Sequence, residues 1–356
     1  MIPASNEIRR HFRPSGPLAV SLLLVAGLAL ACGGGAAPAS TASSPTLTLY
    51  NAQHQQTTNA MIAAFTKQTG IKVRVDNDDE DVLTAKIEQE GNRSPADVIY
   101  TENSNWLQQL DDRSLLTKVN TVTLANVPQS DSATNGDWVG VSGRMSVMVY
   151  NPSKLSSAQL PKSVMDLANP QWKGKIEISA SETDFWPIVS SVARTKGQAT
   201  TVTWLKALKT NAGTADNVPD SETLTSDVNQ DTTDLAIINH YYFYRLQAEV
   251  GKGAVNAKIA YFAPHDPGYV EDISGAAILK SSTHQGAAQQ FLAFLTSQPG
   301  QSVLTQSESF EYPLHTGVAA NSELTPLPQL QPTAFTPAQL GTGLDAKTLL
   351  QQAGLI

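Results

Sequence analysis

Cysteine is all but missing: the 356-residue chain has one, Cys32. No internal disulfide can form, and a folded body lying beyond that position has neither a thiolate metal site nor a cysteine nucleophile. Charged residues make up only 16% of the chain and aromatic ones 6%, and acids outnumber lysines and arginines by 32 to 24. The resulting formal charge of −8 argues against nucleic acid and anionic lipid as partners, since both would be repelled. It suits a cationic ligand. Also absent are a Walker loop, an HExxH helix, a GxSxG elbow and a GxGxxG turn, so no motif supports catalysis. The run Asp76-Asn77-Asp78-Asp79-Glu80-Asp81 begins like a calcium loop, but Asp81 stands where the turn needs glycine and Ile87 where it needs a bidentate carboxylate. It reads as a solvated acidic loop.

No apolar run is long enough for a confident membrane span. The longest, residues 18–30, follows Arg9, Arg10 and Arg13 and ends in small residues, the order of an export signal over residues 1–31. Its end, Ala29-Leu30-Ala31-Cys32, resembles a lipobox, which predicts lipidation of Cys32 after cleavage. Arg9-Arg10-His11-Phe12 is also compatible with twin-arginine export. Removal of the leader's three Arg and one Glu takes the mature charge to −10. Residues 32–46 are Gly, Ala, Ser, Thr and Pro with no apolar periodicity, and read as a flexible tether.

Some 310 residues remain, more than one core usually supports, which favours two lobes. Short apolar strands alternate with helices, the pattern of α/β lobes: strands near 47–50, 71–75 and 96–100, and helices at 57–69 and 82–90. Residues 138–150, WVGVSGRMSVMVY, read as a long glycine-bearing strand crossing a hinge. A second unit follows, with strands at 175–179, 234–238 and 258–262 and helices at 185–196 and 201–209. A strand at 274–279 returns to the first lobe, then come helix 287–296, a Pro-rich surface connection and a last helix at 338–352.

In open α/β sheets ligands sit beyond the carboxyl ends of the strands, and those positions are polar in this chain: His54, Glu102, Ser181, Glu182, Asn239, Tyr241 and Tyr242. One carboxylate, two phenolates and an imidazole suit a hard trivalent cation, and the three anionic oxygens would neutralise Fe(III). Two octahedral positions would remain for a small anion or water, with helix N-termini near Ser181 and Ser221 as candidate anion holders. The same residues admit a plainer reading in which Tyr-Tyr-Phe-Tyr is a packed aromatic patch, His54 is structural and Glu102 caps a helix.

The stretches LTLYNAQH, PADVIYTEN, SGR at 142–144, LAIINHYYFY, HDPG, SGAAILKSS and EYPL together resemble the ferric-ion-binding proteins of bacterial ABC importers, over essentially the whole mature length. The resemblance implies His54, Glu102, Tyr241 and Tyr242 as iron ligands, with Asn239 helping to hold a synergistic anion. The chain departs from the family at Ser179-Ala180-Ser181-Glu182-Thr183-Asp184 and at Asp220-Ser221, where added acids would repel phosphate; carbonate, a citrate-like chelate or water are alternatives for the anion. The implied fold is a type II periplasmic-binding-protein fold, two α/β lobes with mixed sheets and two hinge strands. The expected lobes are 47–146 plus 272–322 and 147–271 plus 323–356. Implied partners are an ABC permease and ATPase, with a monomeric receptor at the outer face of the cell membrane or in the periplasm, performing no reaction. A same-fold receptor for a phosphonate, polyamine or metal chelate, and an exported hydrolase, are the alternatives.

Overall fold

The computed structural model describes residues 45–356. The expected export signal and Cys32, with all but the end of the tether, lie outside the described residues. Among the described residues no helix is long and apolar enough to cross a membrane.

The strands are β1 Thr46–Ala52, β2 Lys72–Asn77, β3 Val98–Thr101, β4 Leu116–Thr117, β5 Trp138–Tyr150, β6 Ile176–Glu177, β7 Leu235–Asn239, β8 Lys258–Ala260, β9 Glu271–Leu279 and β10 Tyr312–Pro313. Between them run α1 Gln55–Thr69, α2 Glu80–Glu90, α3 Ser104–Asp112, α4 Thr121–Leu124, α5 Trp186–Lys196, α6 Gln198–Ala212, α7 Ser221–Asn229, α8 His240–Val250, α9 Gln285–Thr296 and α10 Gln298–Gln306, with α11 Pro337–Leu340 and α12 Gly343–Ala353 at the end.

The strand order β2-β1-β3-β9-β5-β7-β6 mixes parallel and antiparallel pairs. β1 is parallel to β2 and β3, while β9 returns antiparallel to β3, the arrangement expected of a chain that leaves one lobe and comes back. In the first lobe successive residues alternate between two cores, as the period of a strand requires. Leu47, Leu49, Val98 and Tyr100 pack with Phe65 and Phe291 on one face, and Tyr50 and Ile99 pack with Leu83 and Leu107 on the other. The second lobe has its own core around Val147, Val149, Trp186, Trp204 and Ile238, joined by Leu349 and Leu350 of α12.

β5 belongs to both sheets. From Trp138 to Met145 it pairs with β9, and from Ser146 to Tyr150 with β7. All thirteen of its residues are buried, so this crossing is part of the interior. At Gly140 the pairing register slips, and a Cβ there would lie 2.2 Å from the Asp131 carbonyl, so only glycine fits. Next to the crossing Arg144 is wholly buried, 3.1 Å from Asp272 and 3.5 Å from Asp184.

Three sequence expectations are corrected. The last helix is interrupted, because Gly341 takes a left-handed φ of 78° and separates α11 from α12. The aromatic run after β7 is no extension of a strand but the first turn of α8. Residues 76–81 are not a solvated loop either: Asp76 and Asn77 end β2, and the buried Glu80 opens α2.

Candidate metal centre

Each of the four predicted ligand side chains lies just beyond a strand end. β1 ends at Ala52 and α1 begins at Gln55, which leaves His54 at the helix N-cap. β3 ends at Thr101 and Glu102 follows. β7 ends at Asn239 and α8 starts at His240, so Tyr241 and Tyr242 are consecutive residues of a first helical turn and their rings diverge by 42° with centroids 4.3 Å apart. The cleft between the lobes has a volume of about 920 Å³ and is lined by His54, Glu102, Glu182, Asp184 and Tyr242, among others.

The groups converge. Tyr241 Oη donates to Glu102 Oε2 at 3.2 Å and to Asp184 Oδ2 at 3.0 Å; Tyr242 Oη lies 2.9 Å from the same Asp184 oxygen. His54 Nε2 is 3.1 Å from Glu102 Oε1, yet the two do not meet with hydrogen-bond geometry and Nε2 is left without a partner. No group of three or more His, Cys, Asp or Glu side chains able to hold a metal occurs among the described residues, so a metal site at this place depends on the phenols.

Burial governs the protonation of this cluster. It holds the His54 imidazole well below its ordinary value, leaving a neutral ring with a free lone pair. It holds both tyrosines well above theirs, with the Asp184 charge adding to the effect, so without a cation they are phenols. Glu102 is also raised well above the carboxylate range by burial and by Asp184. A cation entering the cleft therefore displaces protons, and the donors it meets are a nitrogen lone pair and hard oxygens. Two positive groups are built in nearby: Arg144 beneath Asp184, and Arg245, whose guanidinium lies 4.6 Å from the centre of the Tyr241 ring.

Two of the three predicted anion holders, Ser221 and Ser181, bond within the chain. The Ser221 N–H at the start of α7 donates to Glu182 Oε1 at 3.1 Å, and its hydroxyl to Glu182 Oε2 at 2.5 Å. The exposed Ser181 donates its N–H to Asn217 Oδ1 at 2.8 Å. Asn239 is buried and its side-chain nitrogen has no partner. Sequence reasoning missed Asp184, Arg144 and Arg245 as members of the cluster. The acids of residues 182–184 were visible, but as obstacles to an anion rather than as partners of the tyrosines.

Fold and site together define a two-lobed α/β binding protein with a polar cleft between its lobes. The chain belongs to the bacterial extracellular solute-binding protein family, whose model matches residues 93–336. It is 40% identical over 341 residues to an Fe(3+)-binding periplasmic protein of Serratia marcescens, covering 96% of this chain and 98% of the relative. Iron-bound HitA from Pseudomonas aeruginosa superposes with a TM-score of 0.83 at 41% identity, over 87% of this chain and 99% of that one. The IdiA (FutA) protein of Trichodesmium, in complex with iron and citrate ligands, matches at a TM-score of 0.76 and 27% identity, over 87% of this chain and 100% of that one.

Proposed function

We propose that this protein is the Fe(III)-capturing component of an ABC importer. The observation that carries the reading is the meeting of two buried tyrosine hydroxyls from one lobe with Glu102 and the partnerless His54 nitrogen from the other. Tyr241, Tyr242, Glu102 and His54 bind the ion. Asp184, already within hydrogen-bond distance of both phenols, offers a further oxygen. Each tyrosine that binds as phenolate releases its proton to solvent, and the ion's charge drives that release. Arg144 offsets part of the negative charge once the phenols ionise, and so limits repulsion among the donors.

Glu182 sits on the α7 N-terminus, where a small anion would otherwise lie, so on this reading the acceptor at that helix is the chain's own carboxyl group. The cleft is roomy enough for a chelate, yet Asp78, Asp79, Asp81 and Asp220 face it, and their charge disfavours an anionic one. The lobes are 47–146 plus 272–322 and 147–271 plus 323–356. Closure around the ion presents one shape to a separately encoded permease and ATPase, and lipid at Cys32 keeps the receptor at the membrane. No reaction is performed.

The test is direct. Purified protein mixed with ferric nitrilotriacetate is expected to take one iron per chain and develop a visible phenolate-to-iron absorption band; a colourless, iron-free product overturns the proposal. For the anchor, Cys32→Ala is expected to move the protein from the membrane to the soluble fraction.

A further inference from the structure

Below His54 lies a buried polar network that the ligand set does not use. Its centre is Gln53, almost fully buried, which precedes the imidazole in the chain. The Gln53 side-chain oxygen accepts the His54 N–H at 2.7 Å, and its nitrogen donates to Ser274 Oγ on β9 at 2.8 Å and to Glu311 Oε1 at 3.3 Å. Ser274 in turn donates to the carbonyl of Thr101, the residue before Glu102, at 2.7 Å. The other Glu311 oxygen accepts from Ser142 on β5. One carboxylate is thus tied to one hinge strand directly and, through Gln53, to the other hinge strand and to the segment that presents His54.

The residue before it explains how Glu311 gets there. Phe310 has a φ of 53°, a conformation that costs a bulky side chain free energy. That turn sends the Phe310 ring into the second lobe, stacked on Tyr244 of α8 at 5.7 Å, while Glu311 points into the first. Arg245 Nε donates to the Glu308 carbonyl of the same segment at 3.1 Å. Residues 308–311 therefore touch the tyrosine helix with one side and the His54 loop with the other.

We propose that Glu311 is a positioning residue for His54: through Gln53 it sets the imidazole's place in the cleft and makes that placement depend on the hinge. The iron consequence rests on the function proposed above; the placement itself does not. A His54 backbone held by a fixed hydrogen-bond chain presents its ring to the ion with less conformational freedom left to lose. An unsupported one has to be ordered by the ion.

The test has an iron-free arm and an iron arm. In histidine-labelled, iron-free protein, Glu311→Ala is expected to shift the His54 ring signals and leave those of His265 and His284 in place. Gln53→Met, which cuts the same chain at its middle, is expected to shift them likewise. Unmoved His54 signals in both variants overturn the proposal whatever the protein binds. With ferric nitrilotriacetate, Glu311→Ala is expected to keep the visible band, because the tyrosines remain, and to lose iron to competing EDTA about 10- to 100-fold faster. Adding His54→Ala to Glu311→Ala is expected to accelerate loss no further than His54→Ala alone, since both remove one interaction. Independent, multiplying effects overturn the proposal. Should Glu311→Ala fail to fold, Glu311→Gln keeps one acceptor oxygen and is expected to give a smaller shift in the same direction. A wild-type protein that takes no iron, with His54 still shifting, refutes the iron reading and leaves the positioning role standing.

Discussion

Asp184 is the single side chain that touches most of the cleft's chemistry: both phenol oxygens at 3.0 and 2.9 Å, and Arg144 at 3.5 Å. Replacement of Tyr241 or Tyr242 by Phe keeps the buried ring and removes only the oxygen. We expect melting within a few degrees of wild type, loss of much of the visible band, and iron affinity lowered by more than about a hundredfold, beyond what loss of a supporting partner causes. Isothermal or chelator-competition titration checks this. Arg144→Met has the opposite signature. It strands Asp272 and Asp184 in the interior without their cation, which costs about 3–5 kcal/mol, visible in urea unfolding of the iron-free protein. At this scale the sequence disclosed the polar residues beyond each strand, because strand ends are recognisable. It did not disclose Arg144 or Asp184 as partners, since their meeting depends on how the second lobe folds over the first.

Among the elements, β5 was legible to the residue, a long apolar stretch bounded by polar ones. α8 was not. Its opening residues, His240 to Tyr244, are mostly aromatic, a type common in strands, and they follow β7 with no intervening turn. Tertiary packing decides the matter: His240 is wholly buried, its ring stacked on Tyr312 at 4.9 Å and its Nδ1 accepting the Met145 N–H at 3.1 Å. The helix that carries the tyrosines is thereby fastened to β5 at the residue where that strand changes sheets. The glycine at 140 makes a separate prediction. Gly140→Ala drives a methyl against the Asp131 carbonyl and Leu314, and a destabilisation of about 1–3 kcal/mol is expected in denaturant unfolding. Iron affinity per folded molecule is expected to stay close to wild type.

Across the whole molecule, buried ionisable groups set how stability responds to pH. Burial pushes Glu80 and Glu182 up to about 8 and Glu271 up to about 7, against an ordinary value of 4.5. The folded state thus holds protons that the unfolded chain has lost, and stability from these groups declines as pH climbs from that value toward 8. His240 runs the other way. Burial lowers it to about 3 from an ordinary 6.5, so its contribution is complete above 6.5 and fades as pH falls toward 3. The iron-free protein is expected to melt at a lower temperature at pH 8 than at pH 6, and again lower toward pH 4; thermal scans across that range check both limbs. Iron retention is expected to fall steadily with acid, because protons compete for Glu102 and the phenols, and bleaching of the visible band measures it.

A strand shared by two sheets also constrains how the protein comes apart. Loss of either lobe's packing frees one half of β5 and, with it, the backbone partners of the other half, so neither lobe is expected to stand alone. Calorimetry should record one endotherm for the iron-free chain, and backbone amides around Met145 should be the last to exchange with deuterium. A receptor of this build is expected to be either whole or unfolded, so that no half-folded copy is left to expose its tyrosines to stray metal.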